Sequence, residues 1–249
     1  MKKSDVLCWL VLVLPWTTLS GCGGFYIDGG DEGPAGVSGV EDEVGRSIVA
    51  DCVVTFYKAD GSIYLSEQKH TIYPQSQGLE ISGTEPGGQF TWTLFGGDFR
   101  IVEGTANVGE LSGVMYDRKI AKLILTSIVA GSGMSAQLSV SSELVKIQGR
   151  WYNVIEVAPG TTYAKTLKSF EVPWAKLTLY GDGSSGVIDR VVIEDLASGE
   201  TLMAHSYNFR WLDGIGRTIP MKIDIFKMDT DQAEQQGFLS IAYHAVRTQ

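Results

Sequence analysis

From Ile48 to the last residues, apolar side chains recur at every second position, in short runs broken by glycine, proline, aspartate and serine. Such alternation is what a strand shows when one face is buried, because successive side chains point to opposite sides. In Gln89–Phe95, Phe90, Trp92 and Leu94 share a face. In Thr201–Leu212, Met203, His205, Tyr207, Phe209 and Trp211 share one, with Ser206, Asn208 and Arg210 on the other. Similar runs cover Val53–Tyr57, Ser62–Tyr73, Leu79–Ile81, Phe99–Val102, Ala136–Ile147, Trp151–Val157, Lys176–Tyr180, Val187–Glu194, Met221–Ile225 and Gly237–Val246. Roughly ten short strands with turn signals every 8–12 residues predict a mainly β protein. The expected architecture is a single antiparallel sheet curling toward a barrel, with a β-sandwich as the alternative.

One stretch changes period. Ile120, Leu123, Ile124 and Ile128 follow Asp117 at helical spacing, and Gly131 and Gly133 end the run. Asp117 can cap a helix there. Arg118 and Lys119 in its first turn oppose the helix dipole, so local electrostatics work against it. The helix is too short to span a bilayer and reads as a plug or cover of the core.

The first 46 residues follow neither period. Lys2 and Lys3 precede the apolar run Val6–Leu14, which Pro15 and Trp16 break. A basic start and a run of that length read as a removable export signal, residues 1–21. Residues 22–46 alternate glycine with Asp28, Asp31, Glu32, Glu41, Asp42 and Glu43. So little apolar surface does not offset ordering entropy, and the segment reads as an acidic tether to a β domain spanning 47–249. Its acids lack the spacing of a calcium loop.

Leu19-Ser20-Gly21-Cys22 resembles the lipobox of bacterial lipoproteins. That resemblance implies cleavage before Cys22 and acylation of its thiol. Gly23 stands where an aspartate would retain such a protein at the inner membrane. The expected address is therefore the cell envelope, on the outer membrane facing the periplasm if the host has two membranes. Removal of residues 1–21 leaves 228 residues of net charge −10, with 18 basic against 28 acidic. An acidic chain of this kind is a poor partner for nucleic acid or anionic head groups, so acyl chains are the expected membrane attachment. With Cys8 removed and Cys22 lipidated, Cys52 is the last thiol. It cannot form an internal disulfide and reads as a buried core residue.

Catalytic motifs are lacking. His70, His205 and His244 have no metal-ligand spacing, so neither a metal nor a cofactor is expected. Ser184 and Ser185 lie in a glycine-rich loop without the flanking glycines of a nucleophile elbow. Gly131-Ser132-Gly133 follows the helix instead of opening it, which is the wrong order for a phosphate loop. Asp182 and Asp189 are candidate paired carboxylates of a glycosidase, a pairing that chance supplies in acidic proteins. His205 reads as a hydrogen-bonded residue of an aromatic strand face. What remains are apolar candidates for a ligand lining: Phe90, Trp92, Leu94, Trp151, Leu177, Leu179, Phe209 and Trp211.

The C-terminal half also resembles the lipoprotein-localisation superfamily of periplasmic carriers and outer-membrane receptors. The likeness lies in Lys176–Tyr180 ending at a Gly-Asp-Gly turn, and in Ile188-Asp189-Arg190-Val191-Val192. It continues in the strand through Tyr207-Asn208-Phe209 and in Pro220-Met221-Lys222-Ile223-Asp224-Ile225. It implies an incomplete antiparallel barrel around an apolar cavity for acyl chains. The expected function is a membrane-anchored envelope lipoprotein that binds an apolar or acylated ligand without catalysis. A structural or protein-binding lipoprotein with a solid core, and a hydrolase with an unrecognised site, are the alternatives.

Overall fold

The computed structural model describes residues 47–58, 60–85, 88–103, 118–130, 143–159, 170–228 and 234–249. The expected signal, tether, Asp117 cap and the Ala136–Ser142 part of a predicted strand lie outside them. Among the described residues twelve strands follow one another, interrupted by one α-helix: β1 (Ile48–Tyr57), β2 (Ile63–Tyr73), β3 (Gly78–Glu85), β4 (Gly88–Phe95), β5 (Asp98–Glu103), α1 (Arg118–Ala130), β6 (Glu143–Ile147), β7 (Arg150–Val157), β8 (Ala175–Asp182), β9 (Ile188–Asp195), β10 (Thr201–Leu212), β11 (Arg217–Met228) and β12 (Glu234–Thr248).

All twelve join one sheet in the order β5-β4-β3-β2-β1-β12-β11-β10-β9-β8-β7-β6, with every pairing antiparallel. A single sheet replaces the sandwich alternative. It is an incomplete barrel, because β5 and β6 at its two edges do not pair with each other. Curling nevertheless brings distant parts together. Gly97, in the β4–β5 turn, lies so close to the segment before β8 that a β-carbon on it would sit 3.9 Å from both Trp174 and Val172.

The inner face repeats every two residues. Ile48, Ala50, Cys52, Val54 and Phe56 of β1 are buried, opposite Ile72, His70, Gln68, Ser66 and Tyr64 of β2. Leu79 and Ile81 continue the face onto Leu94 and Trp92, and Ile223, Ile225, Ile241 and Leu239 carry it the other way. Fully burying an aliphatic side chain contributes roughly 1.5–3 kcal/mol, and this face has many. Cys52 is buried, and burial followed by the nearby Asp51 charge pushes its thiol far above the ordinary range, so it packs as a small apolar residue.

α1 lies against this face. It touches β9, β10, β11, β3 and β4, and every residue from Lys119 to Ala130 is buried. The helix is thus a plug inside the curl. Its basic first turn is held by tertiary partners. Arg118 donates to Asp195 at 3.1 Å, with its guanidinium 4.2 Å above the Trp174 ring. Lys119 pairs with Glu200, which also has Lys227 at 3.7 Å. These ion pairs supply the stabilisation that the dipole denies.

Candidate functional site

The site forms where strand pairing runs out. β10 is twelve residues long but pairs with β9 only from Thr201 to His205. Beyond His205 its flank faces the β6–β7 and β8–β9 turns. A cleft of about 990 Å³ occupies that end of the sheet, lined by Leu144, Arg150, Trp151, Val187, Asp189 and Phe209 together with the 182–185 turn. A second pocket of about 470 Å³ adjoins it and shares Arg150, Asp189 and Phe209. Both volumes lie within the range of small-molecule sites, roughly 300–1,000 Å³.

Local sequence builds each wall. The β8–β9 turn is wound around Asp182, whose Oδ1 accepts from the backbone N–H groups of Ser184 (3.0 Å) and Ser185 (2.8 Å) and from both hydroxyls. Hydrogen bonds from Ser184, then Ser185, hold its carboxyl at about 2. Asp182 is therefore a turn residue, and the candidate carboxylate pair with Asp189 has one member engaged in holding a loop. Gly183 donates to the Trp151 carbonyl at 2.8 Å, an approach that leaves its would-be β-carbon 3.0 Å from that oxygen.

In β9 the register with β8 slips, so that Tyr180 faces Arg190 while Gly181 faces Ile188. Asp189 is the extra residue, and such irregularities re-aim side chains. Asp189 accepts from the Tyr152 hydroxyl through Oδ2 at 3.3 Å. Burial raises its pKa, opposed mainly by the Arg190 charge. Arg190 is itself buried, donates to Gln148 at 3.1 Å and lies 5.4 Å over the Tyr152 ring. On the next strand His205 Nδ1 is hydrogen-bonded to the Tyr207 hydroxyl at 2.6 Å. Burial first, then the Arg190 charge, lowers His205 to about 4, so it is neutral at neutral pH.

The eight residues read from sequence as a lining separate into three groups. Phe90, Trp92, Leu94, Leu177 and Leu179 are buried in the core cluster that includes α1. Trp151 and Phe209 meet in the cleft, Trp151 remaining 56% exposed. Trp211, equally exposed, borders neither pocket. Cys22 lies outside the described residues. Leu144, Tyr152, Arg150, Gln148 and Arg190 were not singled out by the sequence pattern. They come from a hairpin and a slipped strand, whose phase alternation alone does not report. Among the described residues no group of His, Cys, Asp or Glu has the arrangement of a metal site, and no helix is long and apolar enough to cross a membrane.

No protein-family model matches the chain, and no curated protein does. Solved structures with a similar course include a LolA superfamily protein from Nitrosomonas europaea, 11% identical. It covers 81% of this chain and 85% of its own, with a TM-score of 0.48. A DUF1329 family protein from Desulfovibrio piger is 9% identical, covers 82% and 86%, and has a TM-score of 0.45. Similarity at this level assigns neither ligand nor activity.

Proposed function

We propose that the chain is an envelope lipoprotein, anchored through Cys22 and an acidic tether, that binds an amphiphilic acylated ligand without chemical conversion. The observation that carries this reading is the composition of the cleft. Leu144, Trp151, Val187 and Phe209 give it apolar walls, and Arg150 and Asp189 stand beside them. An acyl chain can replace water along the first group while a polar head meets the second. In the described structure α1 occupies the inner face of the curl, which makes the cleft a better acceptor than the barrel interior.

The test uses the full chain in a polyoxyethylene detergent and the fluorescent fatty acid cis-parinaric acid. Saturable energy transfer from tryptophan should weaken at least tenfold in Trp151→Asp, with an unchanged melting temperature. Unsaturable binding, or equal affinity in the variant, would sink the cleft as the acyl site. Anchoring is tested separately: Cys22→Ser should abolish palmitate labelling and move the protein out of the membrane fraction.

A second reading, a protein-binding lipoprotein, is favoured by one feature. Ile63 and Leu65 on β2 are 62% and 63% exposed, with Tyr57 paired opposite Ile63 on β1. Apolar side chains grouped on a sheet face are a contact surface when a partner is present. Ile63→Ser with Leu65→Ser should then abolish co-purification of an envelope protein and leave parinaric acid binding intact.

A further inference from the structure

The smaller pocket has a chemistry that acyl binding does not use. Its walls are Gln148, Tyr152, Asp189, Arg190, His205, Ser206, Tyr207 and Phe209, with Arg150 at the edge shared with the cleft. Asp189 is only 9% exposed and borders both pockets. One of its oxygens is taken by Tyr152, while the other, Oδ1, is buried with no hydrogen-bond partner among the described residues. A buried carboxylate oxygen without a donor is costly to leave so, and a ligand hydroxyl would satisfy it.

The surrounding groups select the kind of ligand. Asp189 and the buried Arg190 carry opposite charges, and His205 is neutral. Nearby, Lys222 is paired with Asp224 at 3.0 Å, and Asp182 is committed to its turn. Counting Arg150 at its edge, the pocket carries a single excess positive charge, and the Asp189 carboxylate in its wall opposes entry of a free anion. It offers an acceptor at Asp189 Oδ1, a guanidinium, an amide at Gln148, the second imidazole nitrogen of His205 and two tyrosine rings. Acceptors and donors alternating beside aromatic faces complement groups that both donate and accept, as neighbouring hydroxyls do.

We propose that Tyr152, Asp189, Arg190, His205 and Tyr207 form a subsite for a neutral hydroxyl-rich group, a sugar or glycerol unit. The subsite stands on its own residues. Its extension, that this unit is the head group of an acylated ligand whose chain lies in the adjoining cleft, rests on the proposed function.

The full chain, kept in the polyoxyethylene detergent, is titrated with methyl β-glucoside, glycerol, inorganic phosphate and ethanolamine. Binding is read by calorimetry and by the imidazole chemical shifts of His205. Methyl β-glucoside or glycerol should bind and move the His205 resonances, and Asp189→Asn should weaken that binding at least tenfold. His205→Gln, which keeps a polar side chain, gives a second reading should Asp189→Asn lower the melting temperature. Preference for phosphate or ethanolamine overturns the proposal, as does the absence of any binding or equal affinity in both variants.

Octyl β-glucoside and octyl phosphate, below their micellar concentrations, separate the two sources of the group. Octyl β-glucoside binding at least tenfold tighter than the methyl glycoside identifies a lipid head group. Equal affinities identify a free polyol: the subsite then holds and the acyl cleft fails. Tight octyl phosphate with weak octyl glucoside leaves the cleft standing and removes the subsite.

Discussion

His70 Nδ1 lies 3.0 Å from the Tyr243 hydroxyl, joining β2 to β12 across the β1 strand that separates them. Its other nitrogen lies 3.3 Å from Gln68 Oε1; because that oxygen only accepts, in the neutral ring that burial favours Nε2 carries the hydrogen and Nδ1 accepts from Tyr243. Gln68 in turn donates to Ser66 at 3.2 Å, completing a polar row on an otherwise apolar face.

Complete burial holds His70 at about 3 instead of 6.5. Between those values the unfolded chain binds more protons than the folded one, so stability falls as pH drops from 6.5 toward 3. The slope for one such group is at most about 1.4 kcal/mol per pH unit. Urea midpoints measured at pH 7, 6 and 5 should show this decline. In His70→Leu the decline should flatten, and the unpaired Tyr243 hydroxyl should lower stability at pH 7 by about 1–3 kcal/mol. An identical acid limb in the variant would assign the loss to other groups.

The anchorage of α1 gives a second expectation. Asp195 accepts from Arg118 and also from the backbone N–H groups of Ala197 (2.9 Å) and Ser198 (3.0 Å). Those bonds, the backbone ones foremost, hold its carboxyl at about 2. Its contribution persists above 3.8 and is lost as pH falls through 2. Asp195→Ala should cost about 1.5–3 kcal/mol at neutral pH and Arg118→Ala less. The double variant should cost less than the sum, as a thermal double-mutant cycle would show.

Lys122 carries a third. It is buried on α1, and desolvation lowers it to about 8 from 10.5. In that window the unfolded chain binds the extra proton, so stability should rise as pH rises from 8 to 10.5. Below 8 the cost is fully present. Lys122→Met should therefore raise the urea midpoint at pH 7, equivalent to about 1–3 kcal/mol, and abolish the alkaline rise. A less stable Lys122→Met protein would mean that the ammonium makes a favourable contact inside the curl.

A fourth concerns a close approach. Gly83 of β3 faces Phe90 of β4, and a β-carbon there would lie 2.7 Å from the Phe90 ring and 3.1 Å from the Glu67 carbonyl oxygen. Gly83→Ala should cost about 1–3 kcal/mol through overpacking. Adding Phe90→Leu, which removes ring atoms but not the carbonyl contact, should recover part of that loss in thermal unfolding.

Much of the sheet was legible because its inner face repeats strictly every second residue, as in Ile48, Ala50, Cys52, Val54 and Phe56. The helix was legible because Ile120, Leu123, Ile124 and Ile128 break that period. Its basic first turn was not, since the partners of Arg118 and Lys119 lie 77 and 81 residues away. Lining and core share one periodicity, so alternation could not separate Trp151 from Trp92. The difference is position. Trp151 pairs opposite Lys146 of β6, an edge strand with none beyond it among the described residues, whereas Trp92 lies under Phe99 at a ring separation of 5.4 Å. The Asp189 subsite depends on a slip in register, which alternation does not report.

Pairing of β1 with β12 has a consequence for how the protein comes into being. The first and last of the described strands stand side by side at the middle of the sheet, and Ser47 and Gln249 exchange both backbone hydrogen bonds. A ribosome delivering the chain from its start therefore produces two wings with no seam to join them. Contacts of such sequence separation form late and slowly. Until β12 has emerged, β1 keeps a bare edge, and the nascent chain remains a substrate for whatever shields unpaired strands along its route.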